Sequence, residues 1–141
     1  MSNVAIITDS TAYLPDEIVD QYKISVAPQV LIWGEETLRD GVDIQPTEFY
    51  NRLSTADVMP TTSQVAIKDF KELFEKLLEE GKDILAILVS DKLSGTISSA
   101  TQALEFFPDA KIEIVNSYGV AMMLGFVVLE VARAAEKGAS L

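Results

Sequence analysis

The chain has 141 residues, 48% of them hydrophobic, which suits one globular domain with a buried core. Eleven basic and 22 acidic residues give a net charge of −11, which disfavours nucleic acid and anionic lipid surfaces as partners because like charges repel. Without cysteine or histidine the chain can form no disulfide, thiolate or zinc–thiolate site, which leaves carboxylate, hydroxyl, Lys or Tyr chemistry.

Two segments of the sequence indicate where the protein is located in the cell. Residues 1–4 lack the basic and apolar features of a secretory signal, which predicts a cytoplasmic protein. The longest apolar run, 120–129, is interrupted by Gly125 and is far shorter than the roughly 20 residues that a membrane span requires. We therefore expect no integral membrane segment, and the run is predicted to be a buried helix.

The apolar pattern predicts alternating strands and helices. In chain order the predictions are a strand at 4–7, a helix at 15–22, a strand at 24–33, a turn at 34–36, an edge excursion at 37–44, a helix at 46–53, a helix at 67–80, a strand at 84–89, a helix at 94–107, a strand at 112–115 and a helix at 120–137. This order indicates an α/β fold with a mostly parallel sheet flanked by helices.

Three short hydroxyl-rich stretches lie just before predicted helices, at 8–11 (TDST), 60–64 (PTTSQ) and 93–96 (LSGT). A helix start exposes backbone N–H groups, so added hydroxyls would make a neutral cradle for a carboxylate or phosphate. Two of the stretches directly follow strands, where ligands of parallel sheets gather. The alternative is that these residues only cap helices. No dinucleotide or P-loop glycine pattern is present.

The last residues, 138–141, have the pattern of a helix stop followed by a serine that could cap a further helix. We therefore expect the chain to continue in the natural protein.

The ordered motifs resemble those of the DegV family of bacterial fatty-acid-binding proteins. The shared motifs are TDST at 8–11, DGVDI at 40–44 followed by Phe49-Tyr50, PTTSQ at 60–64 and KLSGT at 92–96. The resemblance spans essentially the whole chain, and it implies that 1–141 is a DegV-like N-terminal α/β lipid-binding domain without the family's second domain.

The resemblance implies a carrier and not an enzyme. Such a protein encloses one long-chain fatty acid, needs no other cofactor, and presents the carboxylate to an ATP-dependent fatty acid kinase that converts it to an acyl phosphate. Family members are roughly twice as long, and their second domain closes over the lipid and adds a basic or histidine contact. We therefore expect this chain to bind lipid weakly or not at all, and to self-associate through its exposed lipid-facing groove.

The resemblance also implies site residues. Those expected to bind the carboxylate are Thr61 or Thr62, Ser94, and the backbone N–H groups of Gly95 and Thr96. Those expected to organise the loops are Asp9, Ser10 and Ser63. No metal ligand is expected, since Asp9 lacks the clustered oxygen partners that Mg²⁺ prefers.

Two positions depart from the family pattern, and neither removes an expected ligand. Val65 stands where proline is frequent, and Asn116-Ser117 where Asp-Ser is common. Six apolar residues could line a lipid tunnel, although ordinary core packing is favoured for each of them individually. They are Phe106, Phe107, Met122, Met123, Leu124 and Phe126.

Two other functions remain open from the sequence. Asp9, at the end of a buried strand and beside Ser10 and Thr11, could belong to a phosphoryl-transfer enzyme, although no second aspartate or distal lysine motif accompanies it. The chain could also be a structural or regulatory domain without a ligand.

Overall fold

The computed structural model describes residues 3–141 and contains two sheets. The strands are β1 (Val4–Asp9), β2 (Ser25–Ala27), β3 (Val30–Trp33), β4 (Glu36–Arg39), β5 (Thr61–Ser63), β6 (Asp83–Leu88) and β7 (Ile112–Asn116). The helices are α1 (Asp16–Tyr22), α2 (Pro46–Leu53), α3 (Ile67–Glu79), α4 (Thr96–Leu104) and α5 (Met122–Glu136), with a short 3-10 helix at Ser10–Ala12.

The main sheet has the strand order β2-β1-β6-β7, and every pair in it is parallel. This confirms the predicted α/β fold. After Asp83, strand β6 is entirely apolar, which is typical of a strand with both faces covered. Ile84 and Leu88 face one helical layer, whereas Ile87 and Val89 face the other.

The two layers differ in their helices. On one side α3 and α4 bury Phe70, Phe74 and Ala100 against the sheet. On the other side α1 packs with α5, which buries Leu124 and Val128. None of the helices within residues 3–141 is long and apolar enough to cross a membrane.

The prediction of one strand over 24–33 is wrong, because the structure divides this segment between the two sheets. Strand β2 ends at Ala27, and β3 begins at Val30 in the second sheet, which has the order β4-β3-β5. Pro28 has no N–H for a sheet ladder. The next N–H, of Gln29, donates instead to Ser10 Oγ at 3.0 Å, so the chain leaves the main sheet there.

The hydroxyl stretch at 60–64 does not form a helix start. Residues 61–63 are strand β5, paired antiparallel with β3, and α3 begins at Ile67 with Ala66 as its N-cap residue. The hydroxyl side chains are thus carried by a strand whose main chain is already hydrogen-bonded.

Two helices differ from the prediction at their ends. Helix α4 runs from Thr96 to Leu104 and not from 94 to 107; Gly95 is its N-cap residue, and Pro108 disfavours a continuation of the helix through Phe107. Helix α5 starts at Met122 and not at 120, because Ala121 has a left-handed φ of 54° that breaks the helical path.

We predict that Phe74→Ala destabilises the chain by about 3–5 kcal/mol, because it opens a cavity among fully buried neighbours. The free energy of unfolding in urea measures this. Phe126→Ala is the matched control: its ring is 62% exposed, so the expected change is below about 0.5 kcal/mol. Equal losses in both variants would contradict this account of the core.

Candidate functional site

The candidate site lies at the carboxyl ends of β1 and β6. These strands are neighbours, but the chain continues from β1 to β2 on one side and from β6 to β7 on the other. Such a switch point opens a crevice beyond the strand ends. A cavity of about 480 Å³ occupies this position. Its wall contains Thr11, Tyr13, Gln29, Val30, Leu31, Asp40, Ile44, Pro46, Phe49, Tyr50, Thr62, Ser63, Gln64, Val89, Leu93, Ser94, Gly95 and Val120.

The second sheet forms one wall of the cavity, and its register separates the two candidate threonines. Thr62 pairs with Leu31, whereas Thr61 pairs with Ile32. Paired residues share a face of a sheet and successive residues alternate, so Thr61 and Thr62 lie on opposite faces. Leu31 is buried. Both Leu31 and Thr62 line the cavity, whereas Thr61 is absent from its wall.

Part of the apolar wall comes from α2 and the turn before it. Ile44 is buried, and Phe49 packs edge-on against Trp33 and Tyr50, with ring centroids 5.5 and 5.1 Å apart. Pro46 begins the helix, at a position where its missing N–H costs nothing. This helix therefore presents rigid aromatic surface to the cavity.

Asp9 joins the loops around the cavity although it does not line it. Its carboxylate is fully buried and accepts from the Thr11 N–H at 3.0 Å, the Thr11 hydroxyl at 2.6 Å and the Val89 N–H at 2.7 Å. These bonds hold the loop after β1 against the end of β6. Ser10 extends the network by accepting from the Gln29 N–H.

Gln29 is a site residue that the sequence analysis missed. It is 8% exposed, and its amide contacts Thr96 Oγ1 through Nε2 at 2.9 Å and Oε1 at 3.3 Å. Its carbonyl accepts from the Asp40 N–H at 2.9 Å. The sequence feature that could have identified Gln29 is its position as a single polar residue directly after Pro28, within an otherwise apolar run.

The loop after β6 places a hydroxyl in the cavity wall. Ser94 Oγ lies 2.9 Å from Thr96 Oγ1 and accepts from the Thr96 N–H at 3.2 Å. Thr96 itself is fully buried. A Cβ at Gly95 would lie 2.7 Å from Gln64 Oε1, so any larger residue there would displace the exposed Gln64 side chain.

The expected binding residues thus divide into two groups. Thr62, Ser63, Ser94 and Gly95 lie in the cavity wall, whereas the remaining ones contact one another behind it or face elsewhere. Those outside the wall are Thr61, Thr96, Asp9 and Ser10.

None of the six apolar residues that could line a lipid tunnel lies in the wall of this cavity. Leu124 is fully buried in the core beside α1, and Phe107 packs edge-on against Phe74. The others are at least 38% exposed: Phe106, Met122, Met123 and Phe126. Periodicity identified apolar residues but could not show which face of each helix meets the cavity.

The cavity wall carries one acidic side chain, Asp40, and among the described residues none of its members is basic. Burial raises the pKa of Asp40, and nearby Asp9 adds to the rise, while a hydrogen bond from Ser10 opposes it. Burial also raises the pKa of Tyr13, followed by the charge of Asp40. Within residues 3–141 no cluster of three or more acidic side chains is placed to hold a metal ion.

We predict that Asp9→Asn destabilises the fold by about 3 kcal/mol, because an amide offers one acceptor oxygen and turns a donor toward an N–H group. Thermal and urea unfolding measure the loss. Exposed Asp91→Asn serves as the control, with an expected change within about 0.5 kcal/mol. A neutral result for Asp9→Asn would show that the carboxylate does not hold the loops together.

We predict that Asp40→Asn raises the melting temperature at pH 7, because the raised pKa means that folding disfavours the ionised carboxyl. As pH falls through the folded-state pKa, the advantage shrinks, and below the ordinary value of 3.8 it disappears. Melting curves from pH 7 to pH 3 test this, with exposed Asp57→Asn as the control. A pH-independent advantage would contradict the electrostatic explanation.

Comparison with known proteins identifies similar sequences along the chain. The family model "Uncharacterised protein, DegV family" matches residues 3–141. A DegV domain-containing protein of Clostridium perfringens is 37% identical over 141 residues, covering 100% of this chain and 50% of that protein. Protein DegV of Bacillus subtilis is 33% identical, with 98% and 49% covered. The chain spans about half the length of the curated relatives that it matches.

Solved structures show the same fold. The crystal structure of DegV from Bacillus subtilis, described as a fatty acid binding protein, has a TM-score of 0.90 at 33% identity, covering 100% of this chain and 50% of that one. A stearic acid-binding protein from Eubacterium ventriosum has a TM-score of 0.89 at 26% identity, with 98% and 49% covered. A DegV family protein from Thermus thermophilus, described by its fatty acid binding, has a TM-score of 0.88 at 32% identity, with 100% and 50% covered.

Proposed function

The chain belongs to the DegV family, and we propose that it binds a long-chain fatty acid in the cavity beyond β1 and β6, with the carboxylate at the hydroxyl loops. One observation carries the proposal: a cavity of about 480 Å³ combines an aromatic and aliphatic wall with convergent neutral hydroxyls. This is the usual composition of a small-molecule site, in which apolar area binds and a few polar groups orient.

The polar end of the cavity fits a carboxylate. We propose that Thr62 and Ser94 donate their hydroxyls to it, and that the Gly95 N–H at the start of α4 adds a main-chain donor. The Thr96 N–H already donates to Ser94 Oγ, so we assign Thr96 a supporting part. Thr62 is favoured over Thr61 because Thr62 lies in the cavity wall and Thr61 does not.

Three further residues are proposed to organise the loops around the ligand. Asp9 and Ser10 do so through the hydrogen bonds between the loop after β1, Gln29 and Val89. Ser63 lies in the cavity wall beside Thr62, on a strand fixed by its pairing with β3.

Neutral hydrogen-bond donors suit a carrier whose bound carboxylate must react with a second substrate. A lysine or arginine would bind the carboxylate as an ion pair and lower its nucleophilicity. We propose that an ATP-dependent fatty acid kinase acts on the bound lipid. One carboxylate oxygen would then attack the γ-phosphorus, form the acyl phosphate bond and displace ADP.

The chain is therefore proposed to be the lipid-binding part of a longer carrier protein, with its catalyst in a separate kinase subunit. The sequence lacks the glycine patterns of nucleotide-binding loops, which supports this division of labour. We place the carrier in the cytoplasm, where an ATP-dependent partner has its co-substrate.

A phosphoryl-transfer role for Asp9 fits the geometry poorly. The carboxylate is fully buried, and both of its oxygens accept hydrogen bonds from the surrounding loops. An attacking oxygen needs an exposed lone pair directed at phosphorus.

We predict that Ser94→Ala weakens stearate binding about 10- to 100-fold, the loss expected for one hydrogen bond to a charged group. Stearate retained after purification, and added radiolabelled stearate, are both measured on extracted protein. Ser98→Ala is the control because Ser98 is exposed on the same helix. The proposal fails if Ser94→Ala binds like the unsubstituted chain, or if the unsubstituted chain binds no stearate.

A further inference from the structure

Gln29 lies in the cavity wall, and both its main-chain N–H and its carbonyl are hydrogen-bonded. Its N–H donates to Ser10 Oγ at 3.0 Å, and its carbonyl accepts from the Asp40 N–H at 2.9 Å. These bonds fix the residue where the chain passes from β2 to β3. The side-chain amide is therefore held against Thr96, which is 67 residues away in sequence.

The hydroxyl of Thr96 is fully buried. Three polar atoms lie within hydrogen-bond distance of its oxygen, but it has only one proton to donate. Its Oγ1 lies 2.9 Å from Gln29 Nε2, 3.3 Å from Gln29 Oε1 and 2.9 Å from Ser94 Oγ. An amide nitrogen can only donate, so the short contact with Nε2 makes Thr96 Oγ1 an acceptor there. Its single proton can go to Gln29 Oε1 at 3.3 Å or to Ser94 Oγ at 2.9 Å, and we infer that it goes to the nearer acceptor, Ser94 Oγ.

In this arrangement Ser94 Oγ receives two donors. One is the Thr96 hydroxyl at 2.9 Å, and the other is the Thr96 N–H at 3.2 Å. A hydroxyl oxygen has two acceptor sites and one proton. With both acceptor sites occupied, the Ser94 proton remains available for the cavity, which this residue lines.

We propose that Gln29 is a positioning residue that fixes the direction of a hydrogen-bond relay, from its amide through Thr96 to Ser94. The relay makes Ser94 a donor toward the cavity. This inference rests on the proposed function, because it assigns Ser94 to the ligand headgroup. It also specifies the headgroup: a carboxylate, which only accepts, is favoured over an alcohol, which must find an acceptor.

Two substitutions of Gln29 test the direction of the relay. In Gln29→Glu the new carboxylate accepts the Thr96 proton, which leaves Thr96 Oγ1 as an acceptor for the Ser94 proton, so we expect Ser94 to turn its lone pairs to the cavity. In Gln29→Met no group sets the direction. We expect the preference for stearate over 1-octadecanol to fall at least about 10-fold in Gln29→Glu and less in Gln29→Met.

Comparing the ligand preference of the two variants distinguishes the relay from charge repulsion and from loss of site structure. Simple charge repulsion would lower the preference in Gln29→Glu and leave Gln29→Met unchanged, which would overturn the proposal. A loss of site structure would weaken both ligands equally, which would also overturn it. Gln102→Glu, on the exposed surface of α4, is the control and should keep the original preference.

A ligand-free measurement keeps the relay distinct from the proposed function. The buried Thr96 hydroxyl proton should give NMR cross-peaks to the β-protons of Ser94. Cross-peaks to the Gln29 side chain alone would overturn the relay. If the unsubstituted chain binds neither ligand, the proposed function fails, and the NMR result decides the relay by itself.

Discussion

The buried carboxylate of Asp9 is the contact on which the rest of the site depends. It joins the loop after β1 to the Val89 N–H, across 80 residues of sequence. A buried charge is costly unless hydrogen bonds replace its hydration, and here two N–H groups and one hydroxyl do so. Because these bonds are directional, they fix the relative position of the two loops as well as their proximity. The crevice at the switch point therefore has a defined shape before any ligand enters.

The passage of the chain from the main sheet to the second sheet completes this crevice. Pro28 ends the parallel ladder, and Gln29 uses its freed N–H, its carbonyl and its amide to contact three separate loops. Strand β3 follows directly, and together with β5 and α2 it covers the carboxyl ends of the main-sheet strands. The apolar wall and the polar end consequently come from different parts of the fold, and one residue at their junction contacts both.

The electrostatics of the site contrast with those of the whole chain. The protein carries a net charge of −11, yet the cavity holds one half-buried acid and a set of neutral donors. An anionic ligand would gain little from long-range attraction here. Binding would depend on apolar contact with α2 and on hydroxyls whose protons point the correct way, so the direction of each hydrogen bond matters as much as its presence.

The sequence by itself determined the α/β class, most of the helices, the main parallel strands and the identity of the hydroxyl motifs, because periodicity and strand-end signals are local. Tertiary structure decided the division of 24–33, the strand at 61–63, the choice of Thr62 for the cavity wall and the part played by Gln29. These features depend on pairing between residues far apart in the chain. A local pattern does not specify the partner of a distant N–H or the face that a neighbouring sheet will cover.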